Sequence, residues 1–305
     1  MPVAKAPSAW RPLTARLRAL RAFSLPVSVL PVLVATAAVR PMGQWNWPIL
    51  AASAVSVALL HCAGNLLNDY FDFRSGVDRR ISGDAGRPGR LLVRGQLRPR
   101  DILIEALGCL ALAAAGVGYL LCRRRPGALA FALAAVAGLY AYTGPPFRLK
   151  HRAMGELLIF VVFGPALMLG AGYAQLGRVP WALAPLSVPV GLATVAILVS
   201  NNLRDRREDG DAGVVTLARL AGGRVARALY VALELACVAG LAALAAGGRA
   251  PRALLGAPVL LVLLVRPMRA VWQDRRLPDI DAQSARFEAV LLVGVFLAYA
   301  LAGPP

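Results

Sequence analysis

Nine apolar segments recur along the 305-residue chain, and each is close to the roughly 20 residues that a helix needs to cross a bilayer. The apolar runs are continuous rather than alternating, which favours helices over the strands of a membrane barrel. The sequence therefore predicts an all-α, polytopic membrane protein with about nine transmembrane helices in a single bundle. The segments lie at 23–39, 48–70, 101–121, 127–143, 154–175, 180–200, 225–246, 251–265 and 285–303.

The composition of the chain is that of a membrane protein. Hydrophobic residues make up 58% of the chain, the mean hydropathy is +0.61, and only 16% of the residues are charged. A soluble domain carries roughly 25% charged residues. These values exclude a secreted soluble enzyme, a disordered tail protein and a Rossmann domain. We divide the chain into a basic N-terminal arm at 1–22 and a transmembrane domain at 23–305.

The positive charge is distributed unevenly between the two sides of the predicted bundle. The net charge is +18, from 34 basic and 16 acidic residues. With the N-terminus inside, 26 basic residues fall in the N-terminal arm and the inner loops, and 7 fall in the outer loops. Such a bias sets the orientation of membrane proteins. It predicts a multi-pass protein of the cell's inner (cytoplasmic) membrane with a cytoplasmic N-terminus, and it explains the charge without a nucleic-acid partner.

A first acidic cluster, GNLLNDYFDFRSGVD, follows the second apolar segment. On a helix, Asn65, Asp69 and Asp72 share one face because they are four and three residues apart. Asn68 lies on the neighbouring edge. Carboxylates at a helix C-terminus oppose the helix dipole, so a cation is needed to stabilise them. Amide and carboxylate oxygens without sulfur are ligands that Mg²⁺ or Mn²⁺ prefers.

A second acidic cluster, SNNLRDRREDGDAGVVTLARLAG, follows the sixth segment. Asn201, Asp205 and Asp209 repeat every four residues along one helical face, and Asn202 lies three residues before Asp205. Both clusters belong to inner loops of the predicted bundle. Each could hold one Mg²⁺, with a diphosphate bridging the two metals.

Together the two clusters resemble the aspartate motifs of the UbiA superfamily of intramembrane aromatic prenyltransferases. The first family motif is an Asn-Asp-x-x-Asp core with a further Asp, and the second is Asp-x-x-x-Asp. The stretch YTGPPFRLKHRAMGE is similar to the family's segment after helix 4, and the pair Arg87-Pro88 has a counterpart as well. The residues that match the motifs, and that the resemblance implies as Mg²⁺ ligands, are Asn68, Asp69, Asp72, Asp78, Asp205 and Asp209.

The resemblance implies a reaction. A polyprenyl group would pass from an allylic diphosphate to an aromatic acceptor within the lipid bilayer, and Mg²⁺ with basic side chains would stabilise the leaving diphosphate. The resemblance implies catalytic roles for Asp72, Asp205 and Lys150. The implied substrate-binding residues are Asn65, Asn68, Arg87, Tyr142, Asn202 and Arg204.

Two details resemble the branch of the superfamily that prenylates 1,4-dihydroxy-2-naphthoate in menaquinone biosynthesis. The last Asp of the first motif, Asp78, follows Asp72 by six positions with a glycine between, and the second motif opens Asn-Asn-x-Arg-Asp. One position departs from the branch, which has a lysine after the second motif where this chain has Val214 and Val215. Another acceptor, such as 4-hydroxybenzoate, is the alternative.

A secondary transporter is the main rival from another class, since membrane carboxylates also mark ion pathways. A transporter would place its acidic residues near the bilayer midplane on broken helices. Here they cluster at the inner ends of the predicted helices, which favours an enzyme.

Two further polar residues lie within predicted spans. His61 is one helical turn before Asn65 and faces the same side of the helix. Glu234 is in the middle of the seventh segment, where an ionised carboxylate is costly. It is predicted to be a protonated hydrogen-bonding group or a residue that faces lipid or substrate.

The orientation can be tested by labelling single cysteines in a cysteine-free background. We expect Ser75→Cys and Gly210→Cys to react with an impermeant maleimide only from the cytoplasmic side, because both follow acidic clusters in inner loops. Labelling restricted to the outer side would overturn the predicted orientation.

Overall fold

Helices form the whole architecture of the residues that the computed structural model describes, 11–43, 45–80, 91–275 and 279–302, and these residues contain no β-strand. The α-helices are α1 Arg11–Leu20, α2 Pro26–Ala38, α3 Trp47–Arg74, α4 Val77–Arg80, α5 Pro99–Cys122, α6 Gly127–Thr143, α7 Gly155–Val161, α8 Leu167–Leu176, α9 Ala184–Asp211, α10 Leu217–Leu220, α11 Gly223–Ala246, α12 Val265–Trp272 and α13 Ile280–Leu301. A π-helical turn at Val162–Ala166 joins α7 to α8, and a 3₁₀ helix at Arg252–Leu264 leads into α12.

Each of the nine predicted apolar segments overlaps one or more helices of the described residues. Seven helical spans in the described part of the chain are long and apolar enough to cross a membrane, and an eighth forms if the bent pair Thr14–Ser24 and Pro26–Ala38 counts as one span. The helix α6 is apolar but has only 17 residues. The prediction of an all-α membrane protein is confirmed, and its count of nine spans is approximate.

The helices α3 and α9 carry the two acidic motifs, and both run further than the predicted ends at 70 and 200. The prediction stopped where the apolar residues stop, whereas backbone hydrogen bonding continues through the charged residues. Asn46 caps the N-terminus of α3, and its side chain accepts a hydrogen bond from the Ile49 amide at 3.1 Å. It ends before Gly76, whose φ of +78° suits glycine and turns the chain into α4.

The N-terminal helix α1 is docked on the bundle. Its residues Ala15 and Ala19 are buried in a cluster with Leu66 of α3 and Ile102 of α5. Its polar side is anchored by an ion pair of 3.0 Å between Arg16 and Glu105. The chain therefore enters the bundle at Arg21 from a packed helix, which brings that arginine to the end of α3 that bears the first motif.

The main core joins α2, α8, α9, α11 and α13. Within it, the π-helical turn brings Gly164 against Gly191 of α9. Pro165 lacks an amide hydrogen, which removes one helical hydrogen bond at this turn. A Cβ atom on Gly164 would lie 2.8 Å from the Ser187 carbonyl oxygen and 3.0 Å from the Gly191 Cα atom. Close backbone approach at small residues is how membrane helices pack tightly.

We expect Gly164→Ala to destabilise the protein by about 1–3 kcal/mol, because the added methyl group meets backbone atoms that cannot move aside. The matched control is Gly294→Ala on α13, where a Cβ atom meets nothing within 4 Å. Thermal unfolding in detergent should show a lower midpoint for the first variant and an unchanged or higher midpoint for the second. Equal midpoints for Gly164→Ala and wild type would contradict the packing argument.

Candidate active site

One cavity of about 880 Å³ connects the two acidic motifs with the apolar interior of the bundle. All but one of the predicted site residues line it. The exception, Arg87, lies outside the described residues. Those that line the cavity are Asn65, Asn68, Asp69, Asp72, Asp78, Tyr142, Lys150, Asn202, Arg204, Asp205 and Asp209.

The centre of the first motif is an ion pair between Asp72 and Lys150. The Lys150 Nζ atom donates hydrogen bonds to Asp72 Oδ2 at 2.7 Å and to Asn68 Oδ1 at 3.0 Å. The other carboxylate oxygen of Asp72 lies 3.1 Å from His151 Nε2. Burial alone would lower the pKa of Lys150, but the Asp72 carboxylate raises that pKa above its ordinary value. Lys150 is therefore a fixed positive charge beside the motif.

A second ion pair in the first motif involves Arg21, which the sequence analysis counted only among the basic residues that set the membrane orientation. The Arg21 guanidinium donates to Asp69 Oδ1 at 2.6 Å, and the Asp69 side chain is almost fully buried. The Asn65 amide donates to the Leu20 carbonyl at 3.2 Å and so holds the start of this segment against α3. The position of Arg21, as the last basic residue before the first apolar segment, was the one sequence signal for this role.

Asp78 brings a further carboxyl group to the first motif. It is buried on α4, and its Oδ2 atom has no hydrogen-bond partner among the residues that the structure describes. Burial, followed by the neighbouring carboxylates Asp72 and Asp69, raises the pKa of Asp78 to about 7. A cation between these carboxylates would satisfy the unpartnered oxygen and remove the repulsion.

The second motif is organised by Arg204. Its guanidinium donates two hydrogen bonds to Asp205, at 2.7 and 3.0 Å, and it forms an ion pair with Asp281 of α13. Asn202 donates to the Glu156 carboxylate of α7 at 2.8 Å. Sequence reasoning missed Asp281, which belongs to another helix and carries no motif, and gave no role to Glu156, the last residue of the stretch YTGPPFRLKHRAMGE.

The carboxylate and amide oxygens of the two motifs suit Mg²⁺ better than a metal ion that takes all of its ligands from the protein. Among the residues described, no group of three or more His, Cys, Asp and Glu side chains is placed to hold an ion by itself. Mg²⁺ commonly takes one or two carboxylates and completes its shell with water and phosphate oxygens. Sparse carboxylates from two motifs, one of them with an unpartnered oxygen, match that preference.

Beyond the motifs the cavity becomes apolar. Val57 and Leu60 of α3, Leu139 of α6 and Phe163 of the π-helical turn are among its lining residues. This part offers aliphatic and aromatic contact but few hydrogen bonds, which suits a hydrocarbon chain.

Tyr142 lies on the cavity wall, whereas four other aromatic residues close to the motifs in sequence are not among the lining residues: Tyr70, Phe71, Tyr140 and Phe147. A Cβ atom on Gly155 would lie 3.2 Å from the Tyr142 ring, so the ring packs over that glycine. Tyr70, Phe71 and Tyr140 instead form edge-to-face contacts with one another, with ring centroids 5.4 and 5.7 Å apart. Phe131 and Phe163 also line the cavity and were not predicted.

Of the two valines that stand where the dihydroxynaphthoate branch has a lysine, one is part of the cavity wall. Val214 is buried and lines the cavity, whereas Val215 is 42% exposed and its carbonyl accepts from the Ala153 amide at 3.0 Å. A lysine at 214 would therefore reach the cavity, and a lysine at 215 would not.

Glu234 faces the protein interior, so it is not a lipid-facing residue. It is 1% exposed and lies in the bundle with a second buried carboxyl, Glu288 of α13. Glu288 accepts a hydrogen bond from Thr194 at 2.8 Å, and no basic side chain of the described residues forms an ion pair with either carboxyl. The other predicted alternative, a protonated hydrogen-bonding group, finds no partner among the described residues, where both Glu234 carboxyl oxygens lack a hydrogen bond.

The profile of the UbiA prenyltransferase family matches residues 28–302, which include both aspartate motifs and every helix from α3 to α13. The chain belongs to the UbiA prenyltransferase family. The predicted superfamily is confirmed, and the chain is an enzyme of the prenyltransferase class rather than a secondary transporter.

UbiA prenyltransferase domain-containing protein 1 is a relative in several animals. The chain is 33% identical to the Xenopus tropicalis protein over 94% of this chain and 81% of that one. It is 37% identical to the Homo sapiens protein over 70% of this chain and 62% of that one, so it matches less than two thirds of the human relative's length. These relatives do not bear the name of a dihydroxynaphthoate transferase, so they do not support that branch.

Solved UbiA homologues share the fold. One from Archaeoglobus fulgidus, bound to GPP and Mg²⁺, superposes with a TM-score of 0.67 at 18% identity, covering 94% of this chain and 99% of that one. The apo structure of a homologue from Aeropyrum pernix K1 also gives 0.67 at 18% identity, covering 90% and 97%. The UbiA fold of this chain thus extends over nearly its full length.

Proposed function

We propose that this UbiA family member transfers a prenyl group from an allylic diphosphate to an aromatic acceptor, with Mg²⁺ as the metal. The observation that carries the proposal is that two carboxylate motifs and three basic side chains surround one cavity whose remaining wall is apolar. The polar part would take the diphosphate and the apolar part the hydrocarbon chain. The A. fulgidus homologue bound to GPP and Mg²⁺ is consistent with this assignment.

The basic side chains would hold the diphosphate as it leaves. Lys150, Arg21 and Arg204 each pair with a motif carboxylate, and all three line the cavity. When bound to the carboxylates, Mg²⁺ supplies the charge that stabilises the separating diphosphate. The same binding would free the guanidinium and ammonium groups to donate to phosphate oxygens, which accept strong charge-assisted hydrogen bonds.

The allylic carbons of the prenyl group need surroundings that differ from those of the diphosphate. Loss of diphosphate leaves positive charge on the allylic carbons, and the face of an aromatic ring attracts a cation by about 0.5–2 kcal/mol. Tyr142 lies on the cavity wall near Lys150, and we assign it this role. The apolar wall beyond it excludes water, which would otherwise capture the cation.

We expect Asp72→Asn and Asp205→Asn each to lower turnover by roughly 100-fold or more, because an amide binds Mg²⁺ far more weakly than a carboxylate. Asp211→Asn is the matched control, since Asp211 is on the same helix as Asp205 but does not line the cavity. Product formation from a labelled polyprenyl diphosphate measures the effect, and chelation with EDTA should stop it until Mg²⁺ is restored. If both motif variants kept more than a tenth of wild-type activity, the hypothesis that each motif binds one Mg²⁺ would be wrong.

For the acceptor we propose 1,4-dihydroxy-2-naphthoate, prenylated with loss of its carboxylate. The support is the resemblance to that branch of the first motif, in which Asp78 follows Asp72 by six positions with Gly76 between, and of the opening Asn201-Asn202-x-Arg204-Asp205 of the second motif. The valine at 214 departs from that branch. The alternative acceptor is 4-hydroxybenzoate.

We expect wild-type protein, offered both aromatic acids side by side with a polyprenyl diphosphate, to prenylate the naphthoate preferentially. Chromatography of the labelled products distinguishes the two. Product from 4-hydroxybenzoate alone would refute the naphthoate assignment and leave prenyl transfer intact. Val214→Lys provides a second test, because a new ammonium in the cavity should lower the KM for the diphosphate without changing which ring is prenylated.

We also propose that the protein lies in the cell's inner membrane with its N-terminus in the cytoplasm, so that both motifs open to the cytoplasm. The support is the distribution of basic residues, and the cysteine labelling described above tests it. The division into a 1–22 arm and a 23–305 membrane domain also remains a proposal.

A further inference from the structure

Asp281 is a carboxylate of the cavity wall that belongs to neither acidic motif. It lies in the first turn of α13 and lines the same cavity as Arg204, Asp205 and Asp209 of the second motif. The dipole of a helix stabilises negative charge in its first turn. The N-terminal end of α13 therefore presents a stable anion to the second motif from a separate helix.

The Arg204 guanidinium lies between two carboxylates. Its Nε and Nη2 atoms donate to the two oxygens of Asp205 at 2.7 and 3.0 Å, and its Nη1 atom is paired with Asp281 Oδ2. All three side chains are a quarter exposed or less. A guanidinium has five N–H groups. These contacts use three of them, so two remain for a ligand in the cavity.

The two contacts of Arg204 hold it in different ways. Arg204 and Asp205 are neighbours on α9, and residues one apart on a helix do not face each other. The arginine side chain therefore bends along its own helix to reach Asp205, and that contact moves with α9 alone. Asp281 comes from α13, which packs against α9, so it anchors the guanidinium from the opposite side.

The anchor matters when a metal ion occupies the second motif. A cation at Asp205 repels the guanidinium and competes with it for the same carboxylate oxygens. A charged group that is largely out of water and loses its only partner is strongly destabilised. Asp281 leaves Arg204 with one carboxylate partner, and the N–H groups released from Asp205 are then free to donate charge-assisted hydrogen bonds to phosphate oxygens.

We propose that Asp281 is a positioning residue for Arg204, which it retains beside the second motif when Mg²⁺ binds Asp205, so that the guanidinium holds the diphosphate. This inference rests on the prenyl transfer proposed above and adds a residue to its diphosphate subsite. Asp281 acts through Arg204 and is not itself a ligand of the metal. Without it, the guanidinium has only Asp205 as a partner and competes more strongly with the metal ion.

The first test measures metal binding without turnover, on the full chain in detergent. Mn²⁺ is the probe, and the EPR signal of free Mn²⁺ reports its affinity. We expect Asp281→Asn to weaken Mn²⁺ binding at least fivefold. In an Arg204→Gln background the same substitution should change the affinity by less than twofold, because the competing guanidinium is gone. The matched control is Asp279→Asn, which removes an exposed carboxylate that does not line the cavity and should leave the affinity within twofold of wild type.

Two outcomes of this cycle would overturn the proposal. An equal loss of affinity in both Arg204 backgrounds would mean that Asp281 acts on the cation directly, as a ligand or by its charge. An unchanged affinity in Asp281→Asn would mean that it does not affect the metal site. If Asp281→Asn does not elute as a folded protein, Asp281→Ser, which also removes the carboxylate, takes its place in the cycle.

Steady-state kinetics with a labelled polyprenyl diphosphate provide the second measurement. We expect Asp281→Asn to raise the KM for the diphosphate at least fivefold and to leave the acceptor KM within twofold. Asp281→Glu restores a carboxylate and should recover part of the loss. An equal rise of both KM values would refute a role confined to the diphosphate. Absence of product from wild type with every acceptor would instead refute the proposed prenyl transfer, and the Mn²⁺ measurements would still decide the role of Asp281.

Discussion

The ion pair between Asp72 and Lys150 is the constraint on which the site depends. Taking an ionised carboxylate out of water costs several kcal/mol, and the cost is recovered only when a partner charge and further hydrogen bonds are close at hand. Lys150 supplies the charge at 2.7 Å, and its second bond to Asn68 fixes the ammonium. The pair ties the end of α3 to the turn after α6, so the first motif is held by two separate parts of the chain. Arg21 and Arg204 form the corresponding ion pairs with Asp69 and Asp205.

The same pairing explains why the acidic motifs remain helical within the bundle. Carboxylates near a helix C-terminus oppose the helix dipole and favour unwinding. Here Lys150 and Arg21 from other segments offset the charge at the end of α3, Arg204 of the same helix does so on α9, and the two helices continue through their motifs to Arg74 and Asp211. Protein cations thus already neutralise the carboxylates of the candidate site.

Local features of the site were predictable from the sequence. Hydropathy located the apolar spans, and the spacing of Asn65, Asp69 and Asp72 placed them on one helical face, because both signals act within a single helix. The basic residue at Lys150 came from resemblance to the family. Partners contributed by distant segments, such as Arg21, Glu156 and Asp281, could not be found in this way. Their roles arise only when packing brings α1, α7 and α13 to the two motifs, and their residue types alone fit ordinary interfacial charges.

The contact between Arg21 and Asp69 has a thermodynamic consequence for the N-terminal helix. Arg21 directly follows the docked helix α1, and Asp69 accepts its guanidinium at 2.6 Å. Any cation that binds Asp69 competes with that guanidinium. This thermodynamic linkage is reciprocal. If a bound cation weakens the docking of α1 by a given free energy, the docked helix weakens the binding of that cation by the same free energy. Docking of α1 would thus be coupled to cation binding at Asp69, although α1 itself provides no carboxylate there.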